Sequence, residues 1–535
     1  MLRLTATLPL GVLFLLPFAG ALLFILPDLA HGQGYRDLLE HPQAWGALRL
    51  TLFTGVSATL LSLLFALLII AGSRGNLAVA AGAFLAVPHL ALAIGLAFLI
   101  MPSGLLARLV AVAAGWTTPP QWVTTQDPWG LALIAALVLK ETPFLVWVFA
   151  GLLNRDDLQR QFAGHTSVAR SLGHGPASTF LRVLLPQLLP RTIVPLIAVF
   201  TYGMTVVDMA LVIGPGQPPT LAQLAWTDLN DADPATSARG AAGVLTLSVL
   251  ILILLVVVGL LRRLARSWAG GFYSSYPRPG KPGLAVSGQI WGLWQAFYTL
   301  IGILLLIQSL SGFWPFPDLM PQHLSVKAWS QLLANGSAFS ASLFLALATA
   351  SVALVSVVAW LETQAPSRDR FIIITAILGL CLPVLLVALG QYRMFLWLGI
   401  TGTPAALFLA HVLPVMAYVV VMLSGPYRAF DPRWQATASG LRSPRLLFLA
   451  RVKWPMLKAP LLAAFAVGFA VSIMQFVPAQ LAAAGRYSTL PMEAVTLSAG
   501  GNRALIAASG LSLVALPLVV FLLAGWFGRP RWRAS

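Results

Sequence analysis

The sequence predicts an all-α, polytopic membrane protein with about twelve transmembrane helices. Hydrophobic residues make up 59% of the 535 positions and charged residues only 9%, whereas soluble domains carry roughly 25% charged residues. The mean hydropathy is +0.86, and many apolar stretches reach the about 20 residues that a helix needs to cross a bilayer. This composition excludes a water-soluble fold.

Six apolar spans are predicted in the first half of the chain. The stretch from Leu8 to Leu26 follows Arg3 and lacks a small-residue cleavage pattern before Asp28, so we interpret it as a retained helix rather than a signal peptide. Gly, Pro and charged residues delimit the next five segments. These lie near residues 47–72, 77–101, 130–153, 192–213 and 241–261.

A segment rich in Gly, Pro and Ser separates these spans from the rest of the chain and has the composition of a linker. Six further spans follow it, near residues 290–312, 338–361, 371–390, 404–424, 459–478 and 505–527. We therefore divide the chain into a first repeat (residues 1–268), a cytoplasmic linker (269–288) and a second repeat (289–535).

The net charge of +17 indicates topology in a membrane protein, and we expect no nucleic-acid partner. With a cytoplasmic N-terminus, most basic residues fall in inner segments and most acidic residues in outer segments. The positive-inside rule therefore predicts that both termini are cytoplasmic. The outer acidic segment from Asp228 to Asp233 is either a solvated loop or a contact for a partner protein.

The two halves share the positions of residues that interrupt apolar helices, which predicts an ancient duplication. Prolines, glycines and polar residues recur in the same order and at nearly the same spacing. The matching sets are Pro88 and Gly95 with Pro383 and Gly390, Lys140 and Pro143 with His411 and Pro414, and Pro186 with Pro455. Because each half holds an even number of spans, the halves run parallel about an axis along the membrane normal, with a central pathway between two similar bundles.

Two basic loops at equivalent places share a sequence frame, and we call them loop 1 (Ser167–Pro186) and loop 2 (Ala436–Pro455). Loop 1 reads Ser-Val-Ala-Arg-Ser-Leu-Gly, then nine residues, then Val-Leu-Leu-Pro. Loop 2 fits the same frame, with Val-Lys-Trp-Pro at its end. The frame predicts a short helix, a sharp turn at Gly173, and a second helix that enters the membrane past a proline. The alternative is a pair of ordinary basic loops that only satisfy the positive-inside rule.

Both loops resemble the EAA loop of ABC importer permeases, whose pattern is Glu-Ala-Ala, three residues, Gly, nine residues, then Ile-x-Leu-Pro. Ser167 and Ala436 stand where the family has Glu, and Arg442 stands where it has Gly. The resemblance implies a type I permease fold whose loops dock on ATPase subunits, although the lost Glu residues remove the usual salt bridge. The implied docking residues are Ser167, Val168, Ala169, Arg170, Leu172, Gly173 and Pro186 in loop 1, and Ala436, Thr437, Ala438, Leu441, Arg442 and Pro455 in loop 2.

Segments near the ends of the fifth and eleventh spans resemble the fused permeases of the thiamine and iron(III) import group, in which one chain does the work of a permease dimer. They are Gly214–Leu221, Ser472–Phe476 and Thr489–Pro491. The resemblance implies the bacterial inner membrane, a periplasmic binding protein that delivers a small solute, and two copies of an ATPase subunit. This chain has no Gly-x-x-x-x-Gly-Lys-Ser/Thr motif, so we expect ATP-Mg to bind in the partner and no cofactor to bind here.

Polar residues within the spans are candidates for the translocation path, because an ionised side chain at mid-span costs about 2.5–3.5 kcal/mol. The candidates are Lys140, Glu141, Asp208, His411 and Gln475. Lys140 and Glu141 are either path residues or an interhelical polar pair near a proline kink. Asp208 and Gln475 are expected at equivalent positions on helices that line the central axis.

Asp208 could there meet a cationic solute, or bond to the hydroxyl of Thr201 or Thr205. His89 and His411 are each alone on an apolar helix with no second ligand at a suitable spacing, so no metal site is expected. Cys381, the single cysteine, excludes a disulfide scaffold.

Two other function classes make sequence demands that this chain does not meet. A twelve-span secondary transporter driven by an ion gradient would carry a Gly-x-x-x-Asp-Arg loop between spans two and three, where this chain has only Ala71–Asn76. An intramembrane enzyme would need a motif such as Gly-x-Ser-x-Gly or His-Glu-x-x-His, and neither occurs.

Overall fold

The computed structural model describes residues 8–72, 77–273, 286–334 and 336–529. Within these ranges the regular structure is helical, apart from one isolated antiparallel bridge between Ser311 and Leu324. Among the described residues, ten helices are long and apolar enough to cross a membrane, or up to twelve if two bent pairs each count as one span. The predicted all-α polytopic fold is confirmed.

The spans follow one another along the chain with short helices between them. The ten continuous spans are Leu8–Ala30, Ala44–Gly72, His89–Ala114, Leu131–Leu153, Pro176–Thr205, Pro234–Leu264, Gly288–Ser309, Ser337–Thr363, Pro404–Arg428 and Arg503–Gly528. The bent pairs are Pro366–Cys381 with Val384–Trp397, bent by 105°, and Arg445–Met456 with Lys458–Ile473, bent by 76°. The short helices are Gly32–Glu40, Leu77–Leu85, Asp156–Ser171, Asp208–Ile213, Leu221–Leu229, Lys327–Ala334, Pro432–Gly440, Val477–Ala483 and Leu490–Ser498.

Four predicted spans are broken rather than continuous. The predicted spans 77–101 and 371–390 break before Pro88 and Pro383, which lack an N–H and disfavour helical geometry in the preceding residue. The third span accordingly starts at His89 and extends to Ala114. The predicted spans 192–213 and 459–478 likewise end early, and a short second helix follows each of them.

The chain forms two compact units that do not coincide with the two sequence halves. The first-half unit comprises Asp28–Ala328 and Asn502–Gly510. The second-half unit comprises the residues up to Pro27, Trp329–Gly501 and the residues from Leu511 onward. The first helix of each half therefore belongs to the unit of the other half. The predicted repeat boundaries describe the sequence duplication and stay a prediction. Linker residues 274–285, Arg3 and Arg74 lie outside the described residues.

A continuous apolar core fills the second-half unit. Leu10, Phe14 and Phe18 recur every four residues on the N-terminal helix, and this stripe lies in the same buried cluster as Val412 and Met416 of helix Pro404–Arg428. In the first-half unit, helix Leu131–Leu153 packs against helices Ala44–Gly72 and Leu77–Leu85.

Two corresponding glycines contact the first span of a sequence half. Gly95 contacts span Gly288–Ser309, and Gly390 contacts span Leu8–Ala30. A Cβ at Gly95 would lie 2.3 Å from the Cγ2 atom of Ile301, and a Cβ at Gly390 would lie 1.9 Å from the carbonyl oxygen of Ala21. The two contacts differ in kind, because a side-chain methyl group can move and a helix carbonyl cannot. Glycine at both places allows the close helix approach that is typical of membrane bundles.

Candidate functional site: two loops and a polar cluster

The first helix of loop 1, Asp156–Ser171, ends in a left-handed turn at Gly173, whose φ is +85°. The N–H of Gly173 donates to the carbonyl of Arg170 at 3.0 Å, and the N–H of His174 donates to the carbonyl of Ala169 at 3.0 Å. These two bonds form a Schellman motif, which satisfies carbonyls that a helix end leaves unpaired. The predicted helix, turn and second helix are all present.

Loop 2 forms the same turn at the equivalent residues. The N–H of Arg442 donates to the carbonyl of Ser439 at 3.0 Å, and the N–H of Ser443 donates to the carbonyl of Ala438 at 3.0 Å. Arg442 has a φ of +52° and so adopts the left-handed conformation that Gly173 adopts in loop 1. The departure from Gly in the sequence has left the turn geometry in place.

The correspondence continues into the second helix of each loop. A single π-helical turn covers Phe180–Leu184 in loop 1 and Leu449–Lys453 in loop 2, two residues before Pro186 and Pro455 respectively. Such turns are rare in proteins, and those that do occur are often at functional sites. Two loops with the same succession of turn, short helix and π-turn are one structural element built twice.

The predicted docking residues are a mixture of exposed and buried side chains. The exposed fractions of Val168, Leu172 and Leu441 are 59%, 61% and 77%, whereas Ala169 is buried. Ser167 and Ala436 are exposed but carry no carboxylate. The loops therefore present exposed apolar side chains to a protein that covers them. Ser167 and Ala436 cannot contribute a carboxylate to an ion pair with that protein.

We expect Arg442→Gly to stabilise loop 2, because a non-glycine residue in left-handed geometry costs about 1–2 kcal/mol, part of which glycine's greater freedom in the unfolded chain offsets. Amide hydrogen exchange across residues 436–445 should slow about two- to fivefold, which corresponds to about 0.5–1 kcal/mol. Arg433→Gly, within helix Pro432–Gly440, is the matched control and should speed exchange. Faster exchange in Arg442→Gly would contradict this reading of the turn.

Lys140 lies in the middle of helix Leu131–Leu153 in the first-half unit. Its side chain is buried against the end of helix Leu77–Leu85. Its Nζ donates to the carbonyls of Phe84 at 3.2 Å and Leu85 at 3.3 Å, and also to that of Val87. Because Pro88 interrupts the helix, these carbonyls lack their usual partners. The three bonds satisfy the ammonium group within the protein, which supports a structural role for Lys140.

Glu141 belongs to a separate polar cluster with His89, Tyr202 and Asp208, all in the first-half unit. Its Oε1 lies 3.0 Å from Nε2 of His89, and the His89 and Tyr202 ring centroids are 4.5 Å apart. The Tyr202 hydroxyl donates to Oδ1 of Asp208 at 3.5 Å. The hydroxyl that reaches Asp208 is therefore not that of Thr201 or Thr205, and His89, which the sequence presented as a lone histidine, has a carboxylate partner.

The cluster is partly open to solvent, with the His89 side chain 24% exposed and the Glu141 side chain 9% exposed. The Glu141 carboxylate contacts the His89 imidazole, and the Asp208 carboxylate contacts the Tyr202 hydroxyl. The two carboxylates make the site suited to a cationic group. Among the described residues, no group of three or more His, Cys, Asp or Glu side chains is arranged so that it could hold a metal ion.

The second-half unit has different chemistry at the corresponding places. His411 is buried, and its Nδ1 lies 3.0 Å from Oγ of Ser472. Gln475 lies in the break before helix Val477–Ala483, whereas Asp208 is the first residue of the corresponding helix. The expected equivalence of Asp208 and Gln475 is therefore wrong by two residues, since Pro186 and Pro455 set a frame in which Asp208 corresponds to Val477.

Asp228, in the acidic segment that ends at Asp233, is not a solvated residue. It is buried and accepts hydrogen bonds from Nε and Nη2 of Arg239 at 2.8 and 2.9 Å. The neighbouring Asp231 and Asp233 are exposed.

Comparison with known proteins agrees with these features. Residues 77–268, which include loop 1, match the family described as binding-protein-dependent transport system inner membrane component. The chain is 32% identical over 536 residues to the inner membrane ABC transporter permease protein YnjC of Escherichia coli (strain K12), covering 97% of this chain and 95% of that protein. The similarity thus extends over both halves and both loops. The chain belongs to the family of inner-membrane permeases of ABC transporters, and is a multi-pass transport subunit rather than an enzyme.

Proposed function

We propose that this chain supplies both halves of the permease of an ATP-driven importer of the bacterial inner membrane. A periplasmic binding protein delivers a small solute to its outer face, and two copies of an ATPase subunit bind loop 1 and loop 2 at its inner face, where both termini lie. The observation that carries the proposal is the duplicated Schellman turn, with Gly173 and Arg442 at equivalent positions. One fused chain with two such elements supplies one docking element for each ATPase copy.

The mechanism follows from coupled equilibria. ATP-Mg binds in the partner, and closure of the two ATPase copies favours the conformation in which the loops are drawn together. Each ligand shifts the balance between inward- and outward-open states only by its differential affinity for them. A rigid loop is required for this, because a loop that yielded at its turn would absorb the movement instead of passing it on.

The proposal is tested by purifying the tagged chain from native membranes in several mild detergents and identifying the proteins that accompany it by mass spectrometry. We expect an ATPase subunit with a phosphate-binding loop, and a binding protein whose bound ligand identifies the solute. Recovery of the chain without an ATPase in every detergent would contradict the proposal and favour an ion-driven transporter.

We further propose that the solute crosses beside the polar cluster of His89, Glu141, Tyr202 and Asp208, and that it carries positive charge, as a thiamine-like cation or an iron(III) species does. The two carboxylates and the partial exposure of His89 support this placement. His411 and Gln475 are the proposed path residues of the second-half unit.

Asp208→Asn is expected to lower uptake of the solute at least about tenfold, because it removes a charge from a site where the surrounding dielectric is low. The measurement is uptake of the ligand recovered with the binding protein, at equal membrane abundance and equal ATPase recovery. Asp37→Asn, on the short helix Gly32–Glu40, is the matched control and should leave uptake unchanged. Normal uptake by Asp208→Asn would show that this carboxylate is structural.

A further inference from the structure

The two loops are anchored by different kinds of contact. The first helix of loop 1 buries Leu158, Phe162 and Ala169. The first helix of loop 2, Pro432–Gly440, buries none of its residues. In the part of helix Asp156–Ser171 that corresponds to Pro432–Gly440, Ala169 is buried, whereas Pro432–Gly440 buries no residue and depends on contacts made elsewhere in loop 2.

A cleft lies beneath helix Pro432–Gly440. Its lining includes Gln435 and Ser439 of that helix, Arg445 and Phe448 of the next helix, and Glu362 at the end of helix Ser337–Thr363. A cleft of this kind interrupts side-chain packing. Polar links across it hold the loop to the membrane helices, together with the buried side chains of Phe448 and Leu449.

Glu362 provides such links to loop 2. Its carboxylate forms ion pairs with Lys453, through Oε1, and with Arg445, whose Nη2 lies 3.3 Å from Oε2. Nη2 of Arg445 also donates to the Glu362 backbone carbonyl at 2.5 Å. The side chains of Glu362 and Lys453 are each only 12% exposed, so solvent screens their attraction much less than it would at the surface.

The same carboxylate is bound to a second membrane helix. The Tyr427 hydroxyl, at the end of helix Pro404–Arg428, donates to Oε1 of Glu362 at 2.6 Å and accepts a hydrogen bond from Nε1 of Trp454 at 3.0 Å. Nζ of Lys453 lies 4.4 Å from the centroid of the Tyr427 ring. One carboxylate therefore joins two membrane helices and loop 2 in a single network.

A neighbouring ion pair fixes the end of the helix that carries Glu362. Arg428 donates through Nε to Oδ2 of Asp369 at 2.5 Å and through Nη2 to the carbonyl of Gln364 at 3.0 Å. The Trp360 indole donates to Oδ1 of Asp369 at 3.1 Å. These bonds hold the end of helix Ser337–Thr363, from which the Glu362 side chain extends, in place.

Loop 1 cannot form this arrangement. In the common frame, Pro176 and Leu184 occupy the positions of Arg445 and Lys453, and neither can pair with a carboxylate. Loop 1 therefore lacks, at these two positions, the cations that pair with Glu362 in loop 2.

We propose that Glu362 is the positioning residue that makes loop 2 move as one body with the membrane helices Ser337–Thr363 and Pro404–Arg428. The proposal rests on the function proposed above, because it assigns the way in which one of the two docking elements is connected to the membrane domain. It explains how a loop that has lost both the family's Glu and its Gly keeps a fixed position.

The test measures the distance between loop 2 and its helix by electron spin resonance. Because Cys381 is the single cysteine, a Cys381→Ser chain accepts two spin labels at chosen sites. Ala436→Cys places one on loop 2, and Val355→Cys, at a position with 68% exposure, places the other on helix Ser337–Thr363. The labelled chain is studied in lipid nanodiscs, alone and with its copurified ATPase.

We expect a narrow distance distribution in the parent chain and one at least about twofold broader in Glu362→Gln, because a buried ion pair that loses one charge no longer fixes its partner. Lys453→Met should broaden it similarly, and the double variant should add little, since the two residues act as a unit. If Glu362→Gln fails to fold, Lys453→Met carries the test. Equal widths in the parent and in both variants would overturn the proposal.

Two controls separate this network from general loosening. Glu40→Gln, at an exposed carboxylate on helix Gly32–Glu40, should leave the width unchanged. A second label pair, Ser167→Cys with Leu64→Cys, reports on loop 1 and should not respond to Glu362→Gln. Broadening at both loops would overturn the assignment.

Adding ATP and vanadate to the ATPase complex tests the mechanical role. The distance between positions 355 and 436 should persist in the parent, because loop and helix move together, and should change in Glu362→Gln. A parent distance that changes as much as the variant's would overturn the one-body claim. If no ATPase copurifies, the proposed import function fails, while the nucleotide-free widths still decide whether Glu362 fixes loop 2.

Discussion

A chain carrying Gly173→Val should insert into the membrane at normal abundance and yet capture about five- to thirtyfold less ATPase. Gly173 has a φ of +85°, and an L-residue in left-handed geometry costs about 1–2 kcal/mol, with β-branched valine at the upper end. That cost falls on the docked geometry of loop 1, and 1.4 kcal/mol corresponds to tenfold in binding. The measurement is the amount of ATPase recovered per permease in the affinity purification.

Gly164→Ala is the matched control for this result. Gly164 lies within helix Asp156–Ser171, and a Cβ there meets nothing within 4 Å. Alanine in a helix interior is favoured over glycine by about 0.5–1 kcal/mol, so loop 1 should become slightly more stable and recover ATPase normally. Equal ATPase recovery by the Gly173→Val and parent chains would refute the role of the turn.

Gly390→Ala should destabilise the second-half unit by about 1–3 kcal/mol, and its effect should lie toward the upper end of that range. The added Cβ would lie 1.9 Å from the carbonyl oxygen of Ala21 and 2.6 Å from its carbonyl carbon. Both are backbone atoms of the N-terminal helix, so the clash is relieved only by displacement of that helix. The midpoint of thermal unfolding in detergent, at fixed lipid content, measures the loss.

Gly379→Ala tests whether the loss comes from this contact or from any glycine substitution beside the N-terminal helix. A Cβ at Gly379 would lie 3.4 Å from Cε2 of Phe18, an ordinary van der Waals contact, so the unfolding midpoint should stay close to that of the parent. Gly95→Ala should have an intermediate effect, because its clash is with the Ile301 side chain. Equal midpoints for Gly390→Ala and Gly379→Ala would contradict the close packing.

The membrane class and the number of spans could be predicted because hydropathy is a local property of the sequence. The breaks inside four of the spans do not follow from hydropathy, although Pro88 and Pro383 mark two of them in the sequence. Hydropathy does not distinguish a continuous apolar helix from two apolar helices joined by a kink, and backbone restriction at proline decides between them.

The two loops are predictable from the sequence because both resemble the EAA loop in the spacing of its residues. The same frame placed Arg442 opposite Gly173, and the structure gives both a positive φ. The polar cluster was found only in part. His89 and Glu141 are 52 positions apart, and nothing in either local sequence indicates that they pair.

The sequence by itself determined that the chain is a polytopic helical membrane protein with two equivalent loops, since composition and spacing are written along the chain, and the resemblance of those loops to the EAA loop indicated a permease. Only the tertiary structure decided that each half's first helix packs in the unit of the other half, that Lys140 caps a broken helix, and that Glu362 anchors loop 2. The physical reason is that lipid solvates any apolar helix face equally well, so hydrophobicity does not select partners within a membrane. Close approach at residues such as Gly390, and satisfaction of polar groups distant in sequence, make that selection.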